Sequence, residues 1–169
     1  MKKKLLIGFT VVIVILQFIR PERNLSGENA KDLTNQYTVP EEVSDILAVA
    51  CKDCHSNKTV YPWYANIQPV GWWLNQHITE GKGHLNFSTF LSRNIAYQNH
   101  KFEEIIEMVE EAEMPLPSYT NFGLHPEANL TDDQRQILIR WAKTQMDTLK
   151  AQYPPDSLII RRQQPAPTQ

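Results

Sequence analysis

Five consecutive residues, Cys51-Lys52-Asp53-Cys54-His55, carry the densest chemistry in the chain. Two thiols at i and i+3 fall on one side of a helical turn, and the imidazole next to them brings a nitrogen donor to the same place. A thioredoxin-like redox pair uses the same cysteine spacing, but it needs a βαβ setting and the sequence has no alternating strand run. A zinc site would take both thiols and two histidines, yet no H-x₃₋₅-H pair exists among His77, His84, His100 and His125. A plain disulfide leaves His55 without a reason. C-x-x-C-H is also the attachment signature of c-type haem, in which the thiols add to the two vinyl groups and the imidazole ligates the iron. The expectation is one covalent haem c per chain, held by Cys51, Cys54 and His55.

The rest of the composition narrows the class. A length of 169 residues with 41% hydrophobic and 21% charged content suits one globular domain. The net charge is −2, but Lys2, Lys3, Lys4 and Arg20 all precede residue 21 and no acid does. Residues 21–169 therefore hold thirteen basic against nineteen acidic residues, a net of −6. An acidic body without a basic stripe lacks the footprint of a nucleic-acid binder. Two cysteines exclude both a multi-disulfide scaffold and a four-thiolate cluster.

Four helical stretches must position the motif. Thr38-Val39-Pro40-Glu41 has capping-box spacing and opens a helix with Val43, Ile46, Leu47 and Ala50 on one face, running straight into Cys51. A second runs from Pro69 through Trp72, Trp73, His77 and Ile78 and is expected to stop at Gly81 in a left-handed cap. A third covers about His100 to Ala112 with Phe102, Ile105, Ile106 and Val109 inward and glutamates outward. The fourth starts at the Thr131-Asp132-Asp133-Gln134 capping box and buries Ile137, Leu138, Trp141, Ala142 and Leu149.

The ends read differently. Three lysines and then Leu5 to Ile19 form a basic start and an apolar run without a small-residue cleavage site, which reads as an uncleaved signal anchor over residues 1–20. Residues 21–37 are polar and aperiodic and read as a tether, residues 38–152 as the haem-binding domain, and residues 153–169, with their Gln/Pro end, as a disordered tail. The lysine cluster predicts a single-pass inner (cytoplasmic) membrane protein whose haem domain faces the periplasm or cell exterior.

The chain resembles c-type cytochromes, and more narrowly the bacterial haem-binding domain family. The residues that carry the resemblance are Cys51-Lys-Asp-Cys54-His55-Ser-Asn, Thr59-Val-Tyr61-Pro62-Trp63-Tyr64, Pro69, Trp72-Trp73, His77 with Gly81, Leu85-Asn86-Phe87-Ser88, Met114-Pro115-Leu116 and Trp141-Ala142, spanning about residues 40–145. The resemblance implies an all-α, cytochrome c-like domain around one covalent haem, here preceded by the anchor helix, with first and last helices packed across each other.

Residue chemistry supplies further site candidates. Tyr61, Trp63, Tyr64, Trp72, Trp73 and Phe87 are the flat apolar side chains that could wall a porphyrin. Trp63 and Asn86 are candidates for a haem propionate. The Pro62 or Pro69 carbonyl is the candidate acceptor for the Nδ1–H of His55, the contact that fixes a ligand's tautomer. For the sixth iron ligand, Met108 and Met146 sit within amphipathic helices as gap-fillers, and His84, His100 and His125 read as solvated. Met114 lies in Glu113-Met114-Pro115-Leu116-Pro117, where two prolines stiffen the loop, and is favoured over its rival His77.

Electron transfer by a membrane-anchored monohaem cytochrome is the first functional expectation, and it needs no enzymatic activity. A haem peroxidase or a haem-based sensor with an open or displaceable distal site is the alternative. The run Glu103, Glu104, Glu107, Glu110, Glu111, Glu113 reads as a solvated face or as a docking patch for a basic redox partner.

Overall fold

Helices are the only regular elements among the described residues, 1–160, of the computed structural model. In chain order they are α1 (Lys2–Leu16), α2 (Glu41–Ala50), α3 (Lys52–His55), α4 (Val70–His84), α5 (Ile95–Glu110), α6 (Pro117–Thr120) and α7 (Asp132–Gln152), with short 3₁₀ turns between. Residues 161–169 of the expected tail 153–169 lie outside the described residues, whereas Pro155–Ser157 form a 3₁₀ turn and Leu158 is buried. Two compact units result. Unit 1 comprises residues 1–30 and 52–88, and unit 2 comprises residues 31–51 and the described residues from 89 on.

Unit 2 obeys the helical periodicity closely. The Thr131 side chain accepts the Gln134 N–H while the Gln134 side chain takes the Thr131 N–H, so two orphan donors are satisfied at the start of α7. α5 begins earlier than its apolar pattern suggested, because the Asn94 side chain caps it by accepting the Tyr97 N–H. α2 opens differently from expectation. Pro40, not Thr38, is its cap residue, and no side chain bonds there. Instead the Thr38 carbonyl accepts the Trp141 indole N–H at 3.0 Å, which ties the segment before α2 to α7, and α2 packs on α7.

The core of this unit is aromatic. Phe102 is fully buried, with Tyr37, Phe90 and Trp141 edge-on around it at 5.0, 5.3 and 5.6 Å. Leu138, Ala142 and Leu149 of α7 and Val43, Ile46 and Leu47 of α2 are buried as well. Within the stretch read as a tether, Leu33 and Tyr37 belong to this core, and the Tyr37 hydroxyl donates to Gln98 at 2.6 Å.

Unit 1 is held together by polar contacts. Residues 17–28 lie along it as a strap. Gln17 exchanges two side-chain hydrogen bonds with the Gln68 backbone, and the Trp72 indole N–H donates to the Ile19 carbonyl. Asn24 is the hub. Its amide donates to the Ser56 carbonyl and Thr59 Oγ1, its side-chain oxygen takes a bond from Lys82, and its backbone N–H donates to the Tyr61 hydroxyl. Beneath lies a small apolar cluster of Tyr64, Leu74 and Ile78 with Cys54, Tyr61 and Ala65 against it.

The membrane expectation is corrected here. Among the described residues no helix is long and apolar enough to cross a membrane. Lys2, Lys3 and Lys4 occupy the first turn of α1, and the helix stops at Leu16, which leaves an apolar stretch rising only about 18 Å against a hydrocarbon core of about 30 Å. Beyond it, Gln17 and Ile19, counted in the apolar run, are engaged with Gln68 and Trp72. The single-pass anchor helix, the inner-membrane localisation and the outward-facing domain that depended on it are therefore not supported.

Candidate functional site

The motif is built around a break in the helix. Cys51 caps α2 through its N–H to the Leu47 carbonyl, with a φ of −128° that ends the helix. Lys52–His55 then make the single turn α3. Beyond His55 the chain folds back onto Asp53. The Asp53 side chain accepts the Val60 N–H at 2.9 Å, and its carbonyl accepts the Thr59 hydroxyl at 2.6 Å. Asp53, between the two cysteines, thus fixes the loop that leaves His55.

His55 Nδ1–H donates to the Leu85 carbonyl at 3.0 Å. The expected acceptors, Pro62 and Pro69, do not fill this role. Leu85 closes α4, its own N–H donating to the Gly81 carbonyl, so the end of α4 sets the tautomer of the imidazole. With the proton on Nδ1, the ring lone pair sits on Nε2, the tautomer in which a histidine can serve as a metal ligand through that atom. Phe87 stands edge-on to the ring at 6.4 Å.

Gly81 has a different reason from the one its sequence context suggested. α4 runs past it to His84, so it is no helix cap. A Cβ there would lie 2.9 Å from the Cys54 carbonyl oxygen and 3.2 Å from Cys54 Cβ. The glycine lets α4 approach the motif closely. Burial, with the Asp53 carboxylate adding to it, pushes the Cys54 thiol up to about 11, so it keeps its proton at neutral pH. Both cysteines are present as thiols.

The other candidates divide. Tyr64 and Phe87 are buried in unit 1, Tyr61 receives the strap, and Trp72 bonds to it. Trp63 is 72% exposed, and Trp73, Val60, Ile67 and Val70 also present apolar surface to solvent. Asn86 is occupied locally: its amide donates to the Asn57 side chain and its oxygen accepts the Ser88 N–H. His77 donates Nδ1–H to the Trp73 carbonyl one turn back and lies 4.3 Å from the Trp73 ring.

In unit 2, Met114 is half-buried just past α5, its N–H on the Met108 carbonyl. Met108 and Met146 are half-buried within α5 and α7. His125, expected in solvent, is buried, stacked on Tyr119 at 4.0 Å with Nδ1 3.2 Å from the Glu127 carboxylate. His100 pairs with Glu103 and Glu104 on the surface, and His84 is exposed. A cavity of about 630 Å³ lined by Ser92, Arg93, Tyr97, Asp156 and Ile160 includes none of the candidate residues.

The donor set fits a haem. It offers two thiols at the vinyl-addition spacing, an imidazole whose tautomer leaves its lone pair on Nε2, and unit 1 aromatics, Trp63 and Trp73, with apolar surface exposed to receive a flat apolar ring. Among the described residues no three His, Cys, Asp or Glu side chains gather as a metal cluster, which gives the zinc reading no foothold. Sequence reasoning missed the Leu85 carbonyl, a backbone group with no residue-type signal. It also misassigned Gly81, for which a glycine inside an otherwise helical pattern was the available clue.

A family model described as a haem-binding domain matches residues 11–144. No curated protein and no solved structure matches the chain.

Proposed function

Since the chain belongs to the haem-binding domain family and haem is its cofactor, we propose that it holds one haem c covalently through Cys51 and Cys54 and serves single-electron transfer, without enzymatic turnover. The observation that carries this reading is the His55 Nδ1–H···O Leu85 bond, which puts the imidazole lone pair on Nε2 one residue after the thiol pair. Met114 is the proposed sixth ligand, supported by its half-buried place in a loop whose backbone is bonded. When bound, the haem supplies an iron that cycles between ferric and ferrous states, at a potential that a Met/His ligand pair raises.

The protein's own groups do the rest. Leu85 orients the proximal imidazole, Gly81 admits α4 against Cys54, and Asp53 fastens the loop behind the motif. Trp63 and Asn86 remain the proposed propionate contacts. For Asn86 this competes with its bond to Asn57. A basic redox protein is the proposed partner for the exposed Glu103, Glu107, Glu110, Glu111 and Glu113 carboxylates.

Acid-acetone extraction with intact-mass analysis tests attachment. The haem should stay with the polypeptide at one per chain, and Cys51→Ala with Cys54→Ala should release it. Haem that extracts from the wild-type chain sinks the covalent reading. Transfer is tested separately: the ferrous protein should titrate as a one-electron couple and resist carbon monoxide. Rapid carbon monoxide binding would favour the peroxidase or sensor alternative.

A further inference from the structure

We propose that Arg135 is the positioning residue for the Met114 thioether, clamping the ligand loop to the end of α5; this rests on the reading of Met114 as sixth ligand. Arg135 closes the first turn of α7, and its Nη1 donates to two carbonyls, Val109 at 3.1 Å and Met114 at 3.0 Å. Val109 belongs to the last turn of α5. One guanidinium nitrogen therefore ties the C-terminal end of a helix to the ligand-bearing residue itself.

The surrounding backbone is fixed to the same point. Ala112 takes a left-handed φ of 57°, which reverses the chain, and the N–H groups of Glu113 and Met114 both donate to the Met108 carbonyl at 3.0 Å. Met114 is thus bonded through its N–H to α5 and through its carbonyl to α7. A cation at a helix C-terminus is favoured by the helix dipole, and a planar guanidinium holds its donors in a fixed geometry that a flexible ammonium lacks.

The need for such a clamp comes from the ligand. A thioether is neutral and monodentate, so its bond must offset the entropy of ordering the loop unless the protein has ordered the loop beforehand. Arg135 supplies that preorganisation through its two bonds to the Val109 and Met114 carbonyls.

The test uses the full haem-loaded chain with Arg135→Met, Arg135→Lys, Met114→Ala and Thr131→Ala. Read out are the near-infrared sulfur-to-iron band, the reduction potential and the rate of cyanide binding to the ferric protein. Arg135→Met should weaken the band, lower the potential and speed cyanide binding by roughly tenfold, with Arg135→Lys between it and wild type. Thr131→Ala, which weakens α7 without touching the loop, should leave all three unchanged and so separates positioning from mere stability. If Met114→Ala leaves the wild-type spectrum intact, the ligand reading fails and takes this proposal with it. If Met114→Ala abolishes the band while Arg135→Met matches wild type in all three readouts, the proposal alone is overturned. Should Arg135→Met not accumulate, Arg135→Lys decides: wild-type values overturn the proposal, and faster cyanide binding with a lower potential supports it.

Discussion

Unit 2 and unit 1 are held together by different means. Unit 2 encloses four aromatic rings between long amphipathic helices, and its buried residues recur at helical spacing. Unit 1 has a small apolar cluster of Tyr64, Leu74 and Ile78, with Phe87 buried beside His55, and relies on a strap of amide hydrogen bonds around Asn24, while Val60, Trp63 and Trp73 face solvent. The difference teaches where a cofactor matters. A unit this small gains only marginal stability from apolar burial, and a ligand that binds the folded form stabilises it by mass action.

The largest expected effect is therefore haem removal. Hydrogen exchange on haem-free protein should show residues 52–88 losing protection strongly while Asp132–Gln152 keeps much of its own. Equal loss in both, or loss confined to α7, would break the comparison.

The same contrast explains what could be read from the sequence. In unit 2, α7 matched its capping box and the burial of Leu138, Trp141, Ala142 and Leu149, with Ile139 rather than Ile137 fully inward, because apolar burial writes a period into the sequence. In unit 1 the ordering groups are an asparagine side chain, a leucine carbonyl and a glycine with a crowded face, none of which leaves a period. The first part of the 21–37 stretch looked like a tether for that reason, since polar residues bonded to backbone look the same in sequence as polar residues in water, whereas its end is held by the isolated apolar residues Leu33 and Tyr37. The motif itself was plain from residue types, whereas the groups that orient it are backbone atoms whose position depends on how the chain folds.

Next in size is Phe102→Ala. Its ring is fully buried among three others, so urea unfolding of the loaded protein should show a loss of about 3–5 kcal/mol. A loss under about 1 kcal/mol would mean that the aromatic cluster does not carry unit 2.

Within unit 1 the sharper probe is a pair of glycines on one helix. Gly81→Ala drives a methyl group against Cys54 and should cost about 1–3 kcal/mol, lowering the yield of doubly attached haem as well. Gly83 meets nothing within 4 Å, so Gly83→Ala should be neutral or stabilising by up to about 1 kcal/mol. Equal effects at both positions, seen by thermal unfolding and mass analysis, would remove the special role of Gly81.

A pH series probes the unit 2 core in another way. Burial, and then the Tyr153 phenolate, pushes Tyr37 up to about 12. The neutral phenol is the form the fold favours, so its contribution is fully present below the unfolded value near 10 and is lost as pH rises toward 12. Unfolding free energy measured from pH 9 to 12 should fall more steeply for wild type than for Tyr37→Phe. Parallel curves would show that Tyr37 is not the group responsible.

The smallest effect separates two threonines with the same sequence signature. Thr131 and Thr38 each precede an acid or amide by three residues, and both read as capping boxes. Only Thr131 forms one. At Thr38 the chain passes through Pro40 before α2 starts, and the threonine contributes its carbonyl to the Trp141 indole rather than its hydroxyl to a helix N–H. Alanine preserves a carbonyl and deletes a hydroxyl. Thr131→Ala should therefore cost about 1 kcal/mol in denaturant unfolding, while Thr38→Ala should stay within about 0.5 kcal/mol of wild type. A cost at Thr38 equal to that at Thr131 would mean that its hydroxyl caps α2 after all, and that the sequence pattern alone was sufficient at both helices.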